Sequence, residues 1–182
     1  MDTELTAATE RAIKEASHWC LDGSGSILHV PAILLGLLSE PESRAALLLE
    51  AHGVDALSVQ ARWPGLLRES PSDHARPVPF PKEGASAGLV PRFSPELESG
   101  VAIARDWLAD LPSPLALATE HLLLGLAASD HEVGCWLREH NLDPEALRDG
   151  ILKQYGLATW PSESEAWSTE DHLSEDEPPL PE

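Results

Sequence analysis

The sequence predicts an all-α protein made of two tandem four-helix repeats, and three observations carry that prediction. Leu and Ala are abundant within a hydrophobic fraction of 42%, whereas only two Phe and one Tyr occur; that balance favours helix over sheet. Two stretches with helical periodicity, residues 1–63 and 93–157, flank a segment, 64–92, that holds six prolines (Pro64, Pro71, Pro77, Pro79, Pro81 and Pro91). Proline lacks an amide donor and interrupts helices, so this segment reads as a linker. The two stretches also match one another. At an offset of 88, Glu10 meets Glu98, Ala16 meets Ala104, Trp19 meets Trp107 and Asp22 meets Asp110. At an offset of 89, Leu34-Leu35-Gly36-Leu37 meets Leu123-Leu124-Gly125-Leu126, then Leu48 meets Leu137 and Glu50 meets Glu139; the offset returns to 88 at Val54-Asp55 against Leu142-Asp143. Ordered agreement with gaps only between helices marks an internal repeat.

Each repeat resolves into four short helices. The first spans about Thr6 to Trp19, and again Ser94 to Leu108, with Thr6 and Ser94 as N-caps and Pro95 at the first helical position. Ala12, Ile13, Ala16, Trp19 and Cys20 share one face, and Gly100, Val101, Ala104, Trp107 and Leu108 repeat it. The second helix covers Ala32–Leu38 and Glu120–Ala128, the third Arg44–Ala51 and Glu132–His140. Gly53 and Asn141 follow as stops that tolerate the left-handed conformation. The fourth starts near Asp55 and near Asp143, where Asp caps and Pro144 takes the next position. Gly36 and Gly125 fall inside the second helices. A glycine there costs about 1 kcal/mol relative to Ala, so two in register imply close approach of another helix.

Charge narrows the function. The chain of 182 residues has 31 acidic and 12 basic residues, a net charge of −19. Such a surface repels phosphate backbones and anionic lipid, so neither nucleic acid nor membrane is the expected partner. Eight acidic residues, four prolines and no Lys or Arg occupy 158–182; this composition predicts a disordered acidic tail. Within it, Trp160 and Trp167 stand among Glu, Asp and Ser, as a short binding motif, as an element that docks back onto its own domain, or as incidental aromatics. Met1-Asp2-Thr3-Glu4 lacks the basic, apolar start of a signal peptide, and no apolar run spans a bilayer. The expected location is the cytoplasm, with Cys20 and Cys135 as buried or half-buried thiols. His18, His29, His52, His131 and His140 are scattered, and His121 beside Glu120 lacks the H-E-x-x-H frame. No metal, no cofactor and no catalytic residue are expected.

The run Ala118-Thr119-Glu120-His121-Leu122-Leu123-Leu124-Gly125-Leu126 resembles the Clp N-terminal (Clp R) repeat signature G-T-E-H-L-L-L-G-L. Phe93-Ser94-Pro95-Glu96 before it and Leu137 to Asp143 after it resemble the flanking family motifs. The first repeat keeps Leu5-Thr6, Leu34-Leu35-Gly36-Leu37-Leu38 and Gly53-Val54-Asp55 as weaker echoes, and together the matches run over about residues 5–155. The resemblance implies a pseudo-twofold eight-helix bundle that docks adaptors and substrates of Clp ATPases and, in one branch, recognises phosphoarginine. No G-x-x-x-x-G-K-[ST] phosphate cradle occurs. The expectation is therefore a free-standing domain that binds without ATPase activity: a protein-binding accessory or adaptor-like module of a Clp chaperone or protease system, with a Clp ATPase, an adaptor or a tagged substrate as partner. The alternative is the same fold reused as a scaffold for an unrelated protein.

By the same resemblance, Glu120 would pair with a guanidinium while the hydroxyls of Thr119 and Ser94 serve the phosphate. A helix N-terminus favours anions and a carboxylate matches the arginine fork. Equally, Thr119 serves as a helix cap and Glu120 complements the helix dipole. In the first repeat Val30-Pro31-Ala32 replaces Thr-Glu-His and leaves Thr6 alone, so at most one of two sites is intact.

Overall fold

The computed structural model describes residues 4–21, 27–68, 92–109, 116–154 and 156. The acidic tail with Trp160 and Trp167, and residues 69–91 of the proline-rich segment, lie outside the described residues.

Among the described residues the chain forms eight helices: α1 (Ala7–Ala16), α2 (Val30–Leu38), α3 (Arg44–Ala51), α4 (Ala56–Arg62), α5 (Pro95–Ala109), α6 (Thr119–Ala128), α7 (Glu132–Glu139) and α8 (Pro144–Gln154). The all-α expectation with four helices per repeat holds. Four short strands accompany them: β1 (Trp19–Leu21), β2 (Ile27–Leu28), β3 (Leu66–Arg68) and β4 (Arg92–Phe93). β1 pairs antiparallel with β3, and β2 pairs parallel with β4.

The centre is α2 and α6. Every residue from Val30 to Leu37 is buried, as is every residue from Thr119 to Ala127. A helix apolar on all sides belongs in the middle of a bundle, and here each is sheathed by the other helices of its repeat. Leu34, Leu37, Leu123 and Leu126 are fully enclosed, and burial of each side chain contributes about 2–3 kcal/mol. The two glycines explain how the sheath closes. A Cβ at Gly36 would lie 2.1 Å from the Ala12 carbonyl oxygen and 2.8 Å from Ala16 Cβ; one at Gly125 would lie 2.2 Å from the Gly100 oxygen and 2.8 Å from Ala104 Cβ. Thus α1 rests on α2, and α5 on α6, at backbone contact distance in both repeats.

Helix ends follow the expected chemistry. Thr9 N–H donates to Thr6 Oγ1 at 3.3 Å, Leu97 N–H to Ser94 Oγ at 3.3 Å, Ser58 N–H to Asp55 Oδ1 at 2.7 Å and Ala146 N–H to Asp143 Oδ2 at 3.0 Å. Gly53 (φ 73°) and Asn141 (φ 61°) terminate α3 and α7 in the left-handed region.

Two expectations need correction. The first helix was expected to reach Trp19, but α1 stops at Ala16 and Trp19 opens β1. Ser17 Oγ turns back to the Lys14 carbonyl. Trp19 sits opposite Arg68 in the ladder, with the guanidinium 5.6 Å from the indole centroid and ion-paired to Glu15. Trp19 is thus held by a cross-strand partner where a further helical turn was expected. Cys135 was expected to be at least half-buried but is exposed on α7, 3.3 Å from Arg138 Nη2; the apolar positions of α7 that face the core are Val133, Trp136 and Leu137.

The repeats interlock. Trp63 and Trp136 meet edge to face with centroids 5.0 Å apart, Arg62 pairs with Glu132, and His52 Nδ1 lies 3.1 Å from the His140 carbonyl oxygen. In addition, each repeat lends its first backbone segment to the other, and this exchange positions the candidate site.

Candidate partner-binding site

Residues 4–6 run alongside the segment that leads into α6. Leu5 and Leu117 form a parallel bridge, Leu117 N–H donates to the Glu4 carbonyl at 2.7 Å, and Thr6 N–H donates to the Leu117 carbonyl at 3.1 Å. The same carbonyl accepts from Thr9 Oγ1 at 2.9 Å, and Thr6 Oγ1 lies 2.9 Å from Thr9 Oγ1. The N-termini of α1 and α6 are thereby tied together, which concentrates two positive helix-dipole ends and several hydroxyls in one place.

At the start of α6, Thr119 and Glu120 are both buried, and Thr119 Oγ1 donates to Glu120 Oε2 at 3.3 Å. No Lys or Arg among the described residues reaches Glu120 within ion-pair distance. A buried carboxylate held by one hydroxyl is poorly compensated, because desolvation favours a paired charge.

The capping alternative for Thr119 is corrected. The N-cap is Ala118, and Thr119 occupies the first helical position. The capping contact comes instead from His121, whose Nδ1 accepts from Ala118 N–H at 3.1 Å. His131 does the equivalent as N-cap of α7, accepting from Gly134 N–H at 3.0 Å. In both rings the accepting Nδ1 must be unprotonated. Burial holds both imidazoles below the usual histidine range; Glu120 opposes this at His121, and a backbone contact and Glu96 oppose it at His131. Neither capping role was legible in the sequence, since His is not among the favoured cap residues. Thr9 was missed for a different reason: its partner, the Leu117 carbonyl, lies 108 residues away.

Ser94 does not join this group. It is the repeat counterpart of Thr6, and its N–H donates to the Leu28 carbonyl at 2.9 Å, as Thr6 does to Leu117. Leu28 precedes α2, so Ser94 lies beside His29-Val30-Pro31, at the end where the Thr-Glu pair is absent. The structure therefore sets Thr119 and Glu120 with Thr6 and Thr9 of the other repeat, and sets Ser94 apart. Among the described residues no group of three His, Cys, Asp or Glu could hold a metal, and no helix is long and apolar enough to cross a membrane.

No family model matches the sequence. Its curated relatives include the chaperone protein ClpB of Mycobacterium tuberculosis, strain H37Rv, 28% identical over 153 residues. Another is ClpB of Mycobacterium leprae, 29% identical over 156 residues. These alignments cover 84% and 86% of the chain but only 17% and 16% of the relatives. The chain thus spans about a sixth of the length of the ClpB proteins it matches. Among solved structures, the N-terminal domain of the caseinolytic protease associated chaperone ClpD from Arabidopsis thaliana superposes with a TM-score of 0.54 at 20% identity, covering 86% of this chain and 97% of that domain. The interlocked repeats, the paired helix N-termini and these likenesses agree: the chain has the Clp N-terminal domain fold and is a sequence relative of the ClpB chaperones.

Proposed function

We propose that the chain is a protein-binding module of a Clp chaperone or protease system, that it receives a Clp ATPase, an adaptor or a tagged substrate, and that it does no chemistry of its own. The observation that carries this reading is Glu120, a buried carboxylate at a helix N-terminus that lacks a cation among the described residues and stands beside Thr119 on the fold of a Clp N-terminal domain. A guanidinium supplies the missing charge. A phosphate on that guanidinium, as in phosphoarginine, would find the hydroxyls of Thr6 and Thr119 and the amides of the α6 N-terminus. Ser94 is left out of this recognition end. The net charge of −19 favours a protein over nucleic acid or anionic membrane, and a cytoplasmic setting agrees with such partners. Residues 1–63 and 93–157 act as the two repeats, 64–92 joins them, and 158–182 with Trp160 and Trp167 provides a separable second contact.

The test is affinity capture from the host with three proteins: the full chain, Glu120→Gln, and the chain without 158–182. Glu120→Gln removes a buried charge at constant shape, so thermal stability should be unchanged or slightly higher. Capture of a Clp ATPase, its protease or an adaptor should weaken, with Kd raised at least about thirtyfold, the equivalent of about 2 kcal/mol. Equal capture by Glu120→Gln would remove Glu120 from the recognition end. Enrichment of an unrelated protein alone would favour the scaffold reading, which draws on Val30 and Pro31 in place of the first-repeat Thr-Glu pair.

A further inference from the structure

Two helices of this chain end in the same way. α3 stops at Gly53 (φ 73°), whose N–H donates to the Glu50 carbonyl at 3.0 Å, and the next N–H, of Val54, donates to the Leu49 carbonyl at 2.9 Å. α7 stops at Asn141 (φ 61°), with the Asn141 N–H on the Arg138 carbonyl at 2.9 Å and the Leu142 N–H on the Leu137 carbonyl at 3.0 Å. In both turns one left-handed residue swings the following apolar side chain back onto its own helix. Val54 and Leu142 are fully buried, as are Leu49 and Leu137. α8 closes with the first half of the same turn: Gly156 has φ 73°, and its N–H donates to the Lys153 carbonyl at 3.2 Å. Leu157 follows, outside the described residues, in the sequence position that Val54 and Leu142 hold in theirs. The side chains that such a turn offers it are Leu152 and Ile151.

Those two side chains line a cavity of about 20 Å³ within the second repeat, where α5, α6 and α8 meet. Trp107, Leu108 and Leu124 complete its apolar walls, and His121 stands at one side. The size decides what fits: such a volume takes about one water or the tip of an aliphatic side chain, not an indole, and apolar walls give a water no partners. The chain beyond α8 has a matching composition. Residues 155–162 carry no charge, in a protein of net charge −19, and all eight acidic residues of the tail stand from Glu163 onward.

We propose that residues 157–161 anchor the tail to its own second repeat. Leu157 turns into this cavity, and Trp160, three residues and at most about 11 Å of chain further on, covers the half-buried Trp107. The anchor is apolar and not an ion pair, since Arg148, the cation beside Trp107, already pairs with Asp149. Residues from Glu163 onward then leave beside the N-terminal half of α6, whose His121 lines the cavity, instead of trailing from the end of α8. The tail becomes an acidic arm held near Glu120, with Trp167 and not Trp160 as its free aromatic. The use of that arm by a cationic partner rests on the protein-binding reading; the anchor itself does not depend on Glu120.

The experiment is fluorine NMR of the full chain labelled with fluorotryptophan, the two tail signals being assigned with Trp160→Phe and Trp167→Phe. Trp167 should resonate where it does in urea, and Trp160 should be displaced from its own urea position. An apolar contact within one chain should keep that displacement at high salt and on tenfold dilution. Leu157→Ser should return Trp160 to its urea position and lower the urea midpoint of the domain by about 1 M. Glu120→Gln should leave both signals in place, so a failure of partner capture and a failure of the anchor are read separately. Trp160 at its urea position in the unaltered chain would overturn the proposal, as would a displaced Trp160 signal that survives Leu157→Ser. Loss of the displacement on dilution would overturn it too, because the occupant would then be the tail of a second copy.

Discussion

Replacing Gly125 with Ala adds one methyl group at the tightest seam of the second repeat. On propensity alone the change would stabilise α6 by about 1 kcal/mol. The packing says otherwise. The new Cβ would stand 2.2 Å from the Gly100 carbonyl oxygen and 2.9 Å from the Ala104 amide nitrogen, whereas an unstrained carbon–oxygen contact needs about 3.3 Å or more. The obstacles are backbone atoms, so no rotamer change relieves them and α5 must move off α6 by roughly 1 Å. Overpacking of this kind costs about 1–3 kcal/mol or more, and separating the helices also loosens Leu126, whose Cδ2 is packed against Gly100. The expected net loss is about 2 kcal/mol, a fall in Tm of about 4–8 °C. Urea unfolding followed by far-UV circular dichroism reads it as a lower midpoint at constant slope. Gly150→Ala is the control: nothing lies within 4 Å of its added Cβ and it sits inside α8, so it should gain up to about 1 kcal/mol. If Gly125→Ala proved as stable as the unaltered chain, the close approach of α5 and α6 would not be what the glycine is for.

Acid should destabilise the fold before carboxylate protonation does. His121 and His131 have lowered pKa values in the folded state, both through burial, so between the folded and unfolded values the unfolded chain binds more protons. Their contribution is complete above the unfolded value of about 6.5 and is lost as pH falls through the folded one. Urea midpoints should therefore drop between pH 7.5 and 5, and His131→Asn, which keeps an acceptor at the N-cap, should flatten the drop; midpoints that stay level over this range would contradict the capping roles. Ser94→Ala removes the α5 cap and should cost about 1 kcal/mol, while leaving capture through Thr119 and Glu120 intact, because Ser94 lies at the other end of the bundle; stability and pull-down measured on one preparation decide both halves.

Much of the architecture was legible because it is written in local terms. The offset of 88 to 89 residues announced two copies of one unit, and caps such as Asp55 and Asp143 act over three residues. The paired glycines, Gly36 and Gly125, foretold a close helix approach even before the partner helix was known. The sequence was silent wherever the decisive partner is distant. Trp19 leaves its helix for a ladder with residues 66–68, and the acceptor of Thr9 is Leu117.

The candidate site shows the same division most sharply. Residue types alone nominated Thr6, Ser94, Thr119 and Glu120, since carboxylates and hydroxyls at helix starts are recognisable by spacing. Which of them stand together was decided by tertiary structure. The strand-like segments before α1 and α5 cross to the opposite repeat to satisfy their backbone hydrogen bonds, as buried amides and carbonyls must. That exchange brings Thr6 to Thr119 and Glu120 and carries Ser94 to Val30 and Pro31 at the start of α2, a grouping that no one-dimensional pattern encodes.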